Sequence, residues 1–207
     1  MELGGKSPAI ILDDANIENA VTWTVNGILA RTGQVCVATS RVYVHSAISS
    51  KFIERYCMAM RDAVKDTSGP QDANSKFGPL VDAAAYERVQ AMVSRARTES
   101  ELVVGGGRIG DQGCFLEPNR LSKPSEEKVI ELANDTEYGL MPGIFTRDIN
   151  RVLRVSAKID SGVVGINCVS MMNIQAPFGG KKQSGIGREF GEYALRAFTE
   201  SKTILIK

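Results

Sequence analysis

The sequence holds a single histidine and a single tryptophan, and its aromatic content is only 6%. Its four cysteines, Cys36, Cys57, Cys114 and Cys168, stand far apart and form no CxxC pair. A structural zinc site needs clustered Cys or His ligands, so none is expected. Nor does the spacing suit a small secreted scaffold stapled by disulfides, and reduced thiols in a cytoplasmic setting follow as the default. Charge of one sign is also lacking. Twenty-five basic and 24 acidic side chains leave a net +1, which provides no field to recruit nucleic acid or an anionic membrane. No signal peptide opens the chain, and its apolar runs are strand-sized, far below the roughly twenty residues that span a bilayer. Small ligands and protein partners are the expected company.

What is present is ordinary for a globular protein: 207 residues, 43% hydrophobic and 24% charged. That length suits one domain over 1–207 with one main core. PAIIL at 8–12 reads as a buried strand, after which Asp14 or Asn16 caps a helix from Ile17 to Leu29. The helical pattern stops at Arg31, Thr32, Gly33 and Gln34, leaving Cys36 just past a helix end. SRVYVHS alternates like a strand, and 49–65 form an amphipathic helix with Phe52, Tyr56, Met60 and Val64 inward. A Gly/Pro/Asn/Asp-rich loop leads to a helix over 83–99 with Tyr86, Val89, Val93 and Ala96 on one face.

Further on, ELVVGGG reads as a strand, Glu126 to Asn134 as a helix, MPGIFT as a strand, Ile149 to Ile159 as a helix and GVVGIN as a buried strand. The glycine-rich PFGGKKQSGIGRE precedes a short helix near 191–197, and KTILIK at 202–207 reads as a terminal strand available for oligomerisation. Alternating β and α elements predict an α/β fold in three layers, a largely parallel sheet with helices on both faces.

ELGGKSP at 2–8, GQVC at 33–36, NDTEYGL at 134–140 and PFGGKKQSGIGREFGEYAL at 177–195 together give a chain that resembles the catalytic half of the aldehyde dehydrogenase superfamily. The motifs stand in the family's order, and the separation of Glu2 from Cys36 is the family's. The resemblance implies a thiolate at Cys36 that adds to an aldehyde carbonyl, a thiohemiacetal whose hydride passes to NAD or NADP, and a thioester that water hydrolyses. It makes Glu2 the general base. A thiol whose ordinary pKa is near 8.5 needs such an acceptor at neutral pH, and backbone N–H groups around Cys36 would hold the oxyanion. It also assigns Phe178 to the aldehyde entrance, while Asn167, following GVVGI, is expected on the substrate side, orienting the glycine-rich loop.

Departures from the pattern shape the expected function. In the family the dinucleotide-binding units, the oxyanion-hole amide and a cofactor-contacting lysine precede ELGGKSP, where this chain has Met1. GGG at 105–107 lacks the spaced glycines of a dinucleotide fingerprint. Between Pro118 and Ser125 the chain is shorter than its relatives, and the segment EEIFGPV is absent. Ala30, Arg31 and Thr32 replace the Asn-rich residues before the GQ pair. The leading expectation is therefore a truncated relative with no cofactor, in which Cys36 forms a thiohemiacetal or thioester with a small carbonyl compound in hydrolase, isomerase or ring-forming chemistry. A second reading is an NAD(P)-dependent dehydrogenase fragment that needs another polypeptide for its cofactor domain. A third is a non-catalytic relative that binds carbonyl ligands or a dehydrogenase subunit.

Competing assignments exist for each residue. Glu2 is a base or a frayed, solvated end, and Phe178 an entrance residue or core. His45 is an ordinary strand residue rather than half of a Cys-His dyad. Cys57, Cys114 and Cys168 are structural. Lys6 and Ser7 serve the turn before PAIIL, and the glycine-rich loop makes backbone turns rather than an anion cradle. The family pairs its terminal strand with a neighbouring subunit, so a homo-oligomer is expected, with a different pairing.

Overall fold

The computed structural model describes residues 1–65, 69, 71–75, 77–99 and 126–207. The ELVVGGG strand and the loop carrying Cys114 lie outside the described residues. In chain order the elements are β1 (Ser7–Ile11), α1 (Ile17–Leu29), a tight turn (Ala30–Gly33), β2 (Thr39–Val44), α2 (Ser46–Val64), α3 (Ala83–Glu99), α4 (Glu126–Asn134), β3 (Tyr138–Gly139), β4 (Gly143–Phe145), α5 (Ile149–Lys158), β5 (Gly165–Ile166), β6 (Lys181–Lys182) and α6 (Gly191–Arg196).

Four strands form one parallel sheet in the order β2-β1-β4-β5, and β3 and β6 make a separate antiparallel pair. Strand side chains alternate between faces, and β1 uses both. Ala9 and Ile11 join Val42, Val44 and Phe145 against Val21 and Val25 of α1 and Phe52, Tyr56 and Met60 of α2. Ile10 and Leu12 pack with Ile144 against Val129 and Ala133 of α4 and Val155 of α5. The sheet is thus covered on both faces, which accounts for the unbroken apolar run PAIIL. Leu80, Ala85, Tyr86 and Val93 form a smaller cluster around α3.

Caps refine several sequence expectations. Asn16, not Asp14, caps α1, its side-chain oxygen accepting the Asn19 N–H at 3.1 Å. Asp14 instead turns to β4 and accepts from the Thr146 hydroxyl at 2.6 Å and the Arg147 N–H at 2.9 Å. His45 follows β2 rather than continuing it, and its Nδ1 accepts the Ala47 N–H as the α2 cap. MPGIFT and GVVGIN pair only over Gly143–Phe145 and Gly165–Ile166.

The expected KTILIK strand joins no sheet among the described residues, and Leu205 and Ile206 are 91% and 93% exposed. Strand propensity cannot form a ladder without an adjacent backbone to pair with, and no described residue pairs with this segment.

Burial pushes the Asp14 carboxyl up, but the Thr146 hydroxyl and Arg147 N–H outweigh it and hold it below the ordinary carboxylate value. A depressed carboxyl stabilises the fold above its unfolded pKa and loses that contribution as pH falls through the folded value. Thr146→Val is expected to cost about 1.5–3 kcal/mol at neutral pH, the range for a hydrogen bond to a charged group. Denaturant melts across pH should show the deficit narrowing on acidification. A deficit constant with pH contradicts this assignment.

Candidate functional site

The chain leaves α1 through three successive left-handed residues, Arg31 (φ 48°), Thr32 (φ 59°) and Gly33 (φ 73°). Glycine adopts this conformation freely, whereas arginine and a β-branched threonine do so under strain. Side chains hold the turn in place. The Thr32 hydroxyl donates to the Gly78 carbonyl at 2.9 Å. The Gln34 amide donates to the Arg31 carbonyl at 3.0 Å, and its oxygen accepts the Val81 N–H at 2.8 Å. The GQ pair thus fastens the approach to Cys36 onto the 78–81 segment.

Cys36 occupies the second position of the tight turn Val35–Ala38, closed by the Ala38 N–H donating to the Val35 carbonyl at 3.0 Å. As usual at that position, the Cys36 N–H has no acceptor among the described residues. Its thiol is free and half-buried, packed beside Val37, Leu140, Met141 and Phe178. From the other side the chain entering β1 presses close, so that a β-carbon on Gly5 would lie 2.7 Å from the Cys36 carbonyl oxygen. An open cleft of about 470 Å³ runs along this junction, walled by Gly5, Lys6, Gln34, Cys36, Ser40 and Tyr138 among others. The Lys6 ammonium lies 5.2 Å from the Tyr138 ring centroid. Both chain segments precede their strands, so the cleft opens at the amino ends of β1 and β2, the opposite end from the usual ligand crevice of open α/β sheets.

Glu2 is not frayed. The Met1 ammonium donates to the Ile186 carbonyl at 2.8 Å, the Ile186 N–H donates back to Met1, and the Leu3 N–H donates to Ser184 at 2.9 Å. Glu2 itself makes an antiparallel bridge to Gly185. Its side chain is exposed and does not line the cleft, although Leu3 does. Phe178 is 4% exposed, with its ring 6.1 Å from that of Phe190, which puts it in the apolar wall behind Cys36.

Asn167 holds φ 55°, and its side chain brackets Thr146, accepting the Thr146 N–H at 3.1 Å and donating to its carbonyl at 3.0 Å. The amide is thus engaged just past β4, and no hydrogen bond joins it to the glycine-rich loop among the described residues. His45 sits beyond the far end of β2, about 20 Å along the strand direction from Cys36 at 3.3 Å per residue, so the two form no dyad.

The glycine-rich loop makes turns as expected, with positive φ at Gly185, Gly187 and Gly191, and the buried Ser184 hydroxyl accepts the Gly139 N–H. Burial pushes the Cys168 thiol up, against a weaker opposing backbone hydrogen bond, and Cys57 is buried. Sequence reasoning missed Gly5, Tyr138 and Ser170, whose hydroxyl donates to the Val37 carbonyl at 3.0 Å. The paired glycines of LGGKS were a signal for the first, since close backbone approach favours glycine. Tyr138 lay within the NDTEYGL motif, whereas nothing local marked Ser170. Among the described residues no group of three Cys, His, Asp or Glu could hold a metal ion, and no helix is long and apolar enough to cross a membrane.

Comparison with known proteins supplies a family. The model of the aldehyde dehydrogenase family matches residues 1–125 and 121–204. An aldehyde dehydrogenase of Enchytraeus buchholzi is 38% identical over 231 residues, covering 100% of this chain and 46% of that protein. Aldehyde dehydrogenase, cytosolic 2, of Macroscelides proboscideus is 36% identical over 100% of this chain and 95% of its own length. The NAD+ complex of aldehyde dehydrogenase from Bacillus cereus superposes with a TM-score of 0.88 at 36% identity, covering 96% of this chain and 45% of that one. Most of these relatives are thus about twice as long as the chain. Alignments of 231 residues exceed its 207, and the two family matches meet at 121–125, beside the shortening expected between Pro118 and Ser125.

Strain before Cys36 gives a direct test. Asparagine tolerates left-handed φ better than arginine, and Arg31 is exposed, so Arg31→Asn is expected to stabilise the fold by about 1 kcal/mol. Thermal unfolding measures it. A lowered midpoint would contradict the strained turn.

Proposed function

The chain belongs to the aldehyde dehydrogenase family, and we propose that Cys36 carries its chemistry by adding as a thiolate to the carbonyl carbon of a small aldehyde. The S–C bond forms, the C–O π bond breaks, and the thiol proton passes through water to Glu2. The oxygen becomes an alkoxide, receives a hydrogen bond from the Cys36 N–H, and takes that proton back from Glu2 through water to give the neutral thiohemiacetal. No electrons leave the adduct, so this step needs no oxidant and no cofactor. The observation that carries the proposal is a half-buried thiol on the wall of an open cleft, in a turn whose own N–H is unspent. The other described thiols compete poorly, Cys168 being raised by burial and Cys57 enclosed.

A second reading is favoured by the NAD+ complex among the structural neighbours: the chain contributes the thiol to a dehydrogenase whose dinucleotide is held by residues outside it. The described residues do not suit a dinucleotide pyrophosphate. The cleft offers one cation, Lys6, already stacked over Tyr138. Both α1 and α2 begin at the opposite ends of the strands, so neither directs its N-terminus at the cleft. The third reading, a carbonyl-ligand or subunit binder without turnover, leaves the thiol unused.

Treatment with p-nitrophenyl acetate, followed by intact mass and peptide mapping, is expected to place the acetyl group on Cys36, with Cys36→Ala abolishing that adduct. Acylation spread evenly over the four cysteines contradicts an activated thiol. Calorimetric titration with NAD and NADP should give no heat of binding; saturable binding to this chain alone would favour the second reading. The exposed apolar tail at 202–207 also favours self-association into a homo-oligomer. Light scattering at micromolar concentration should exceed the monomer mass, and a monomer would refute it.

A further inference from the structure

The loop after β5 is fixed more firmly than a surface connection requires. Asn167 (φ 55°) and Ser170 (φ 54°) both hold left-handed backbone conformations, which non-glycine residues keep only where surrounding contacts over-determine them. Those contacts are evident. The Asn167 carbonyl accepts from the Asn19 side chain of α1 at 2.9 Å, while its amide brackets Thr146. Thr146 in turn donates to Asp14. Val169, 1% exposed, fills the space left by two missing β-carbons, at Gly27 of α1 and Gly143 of β4. One residue on, the strained Ser170 directs its hydroxyl to the Val37 carbonyl at 3.0 Å.

That bond falls on the turn that presents Cys36. The Cys36 carbonyl is confined by Gly5, and the next carbonyl, that of Val37, is held by Ser170. The Ala38 N–H shares its peptide plane with that Val37 carbonyl and donates to the Val35 carbonyl at 3.0 Å. The Val35 carbonyl shares its plane with the Cys36 N–H, so the Ser170 bond bears on the orientation of that N–H through the turn's own hydrogen bond. We propose that Ser170 is a positioning residue for the thiol chemistry, clamping the Val35–Ala38 turn so that the Cys36 N–H points at the oxygen of the forming adduct. The inference rests on Cys36 being the nucleophile. It assigns Ser170 no contact with substrate.

Two reagents separate this role from a general effect on folding or thiol exposure. Acylation of Cys36 by p-nitrophenyl acetate forms the S–C bond, generates an oxyanion and expels p-nitrophenolate, the thiol proton going to solvent. Alkylation by iodoacetamide forms an S–C bond and releases iodide without an oxyanion. Ser170→Ala removes the hydroxyl, while Ser170→Gly removes it and relieves the left-handed strain, so a folding defect in the first is not expected in the second.

In both variants acylation mapped to Cys36 should slow about tenfold, with alkylation within about twofold of the parent, because a displaced rather than deleted oxyanion donor forfeits part of its effect. Unchanged acylation in both variants, or acylation and alkylation slowing in parallel, overturns the proposal. If the unsubstituted chain is not acylated at Cys36 at all, the nucleophile assignment falls and this role with it.

Discussion

The approach of Gly5 to the Cys36 carbonyl is the contact from which the geometry of the cleft follows. Any side chain at position 5 would bring a β-carbon to 2.7 Å from that oxygen, so only glycine lets the segments entering β1 and β2 run side by side. Their parallel pairing from Ser7↔Thr39 onward then carries the junction into the middle of the sheet. β1 lies inside the sheet, between β2 and β4, and its alternate side chains feed the clusters on both faces. The thiol is therefore anchored to a fully buried inner strand, although it sits in a turn. That arrangement gives a loop residue the rigidity of a scaffold.

Strain is concentrated around this junction. Arg31, Thr32, Asn167 and Ser170 all hold positive φ, and each lies on a segment fastened to the Cys36 turn or directly before it. Thr32 and Gln34 tie the upstream side to residues 78–81, and Ser170 ties the downstream side to Val37. Stored strain of this kind persists where other contacts exceed it and is commonest at functional sites. The inference runs from the observed dihedrals to a site that resists rearrangement.

Helices were legible in the sequence because they carry their own periodicity and boundaries: 17–29, 83–99 and 126–134 match the observed bounds. Strands were legible as apolar runs, but their extent depends on a partner's reach. MPGIFT shortens to three paired residues, and KTILIK pairs with no described residue despite its composition. The place of Cys36 just past a helix end was legible from where the apolar pattern stops at Arg31 to Gln34, and it lies in a turn there. The role of Ser170 was not, because it depends on a contact with a residue 133 positions away. His45 looked like a strand residue because β2's alternation runs into it, whereas its ring caps the following helix.

The chain belongs to the aldehyde dehydrogenase family and spans about half the length of most of its relatives, and the proposed function rests on one thiol. The central claim is that a covalent, redox-neutral adduct forms at Cys36. Carbon-13 NMR of a small aldehyde labelled at its carbonyl carbon, mixed with the protein, reads that adduct directly. The account predicts a new protein-bound resonance of a tetrahedral carbon bearing sulfur and oxygen, distinct from free aldehyde and its hydrate, and lost with Cys36→Ser. Signals of free aldehyde and hydrate alone, at protein concentrations matching the aldehyde, would contradict it.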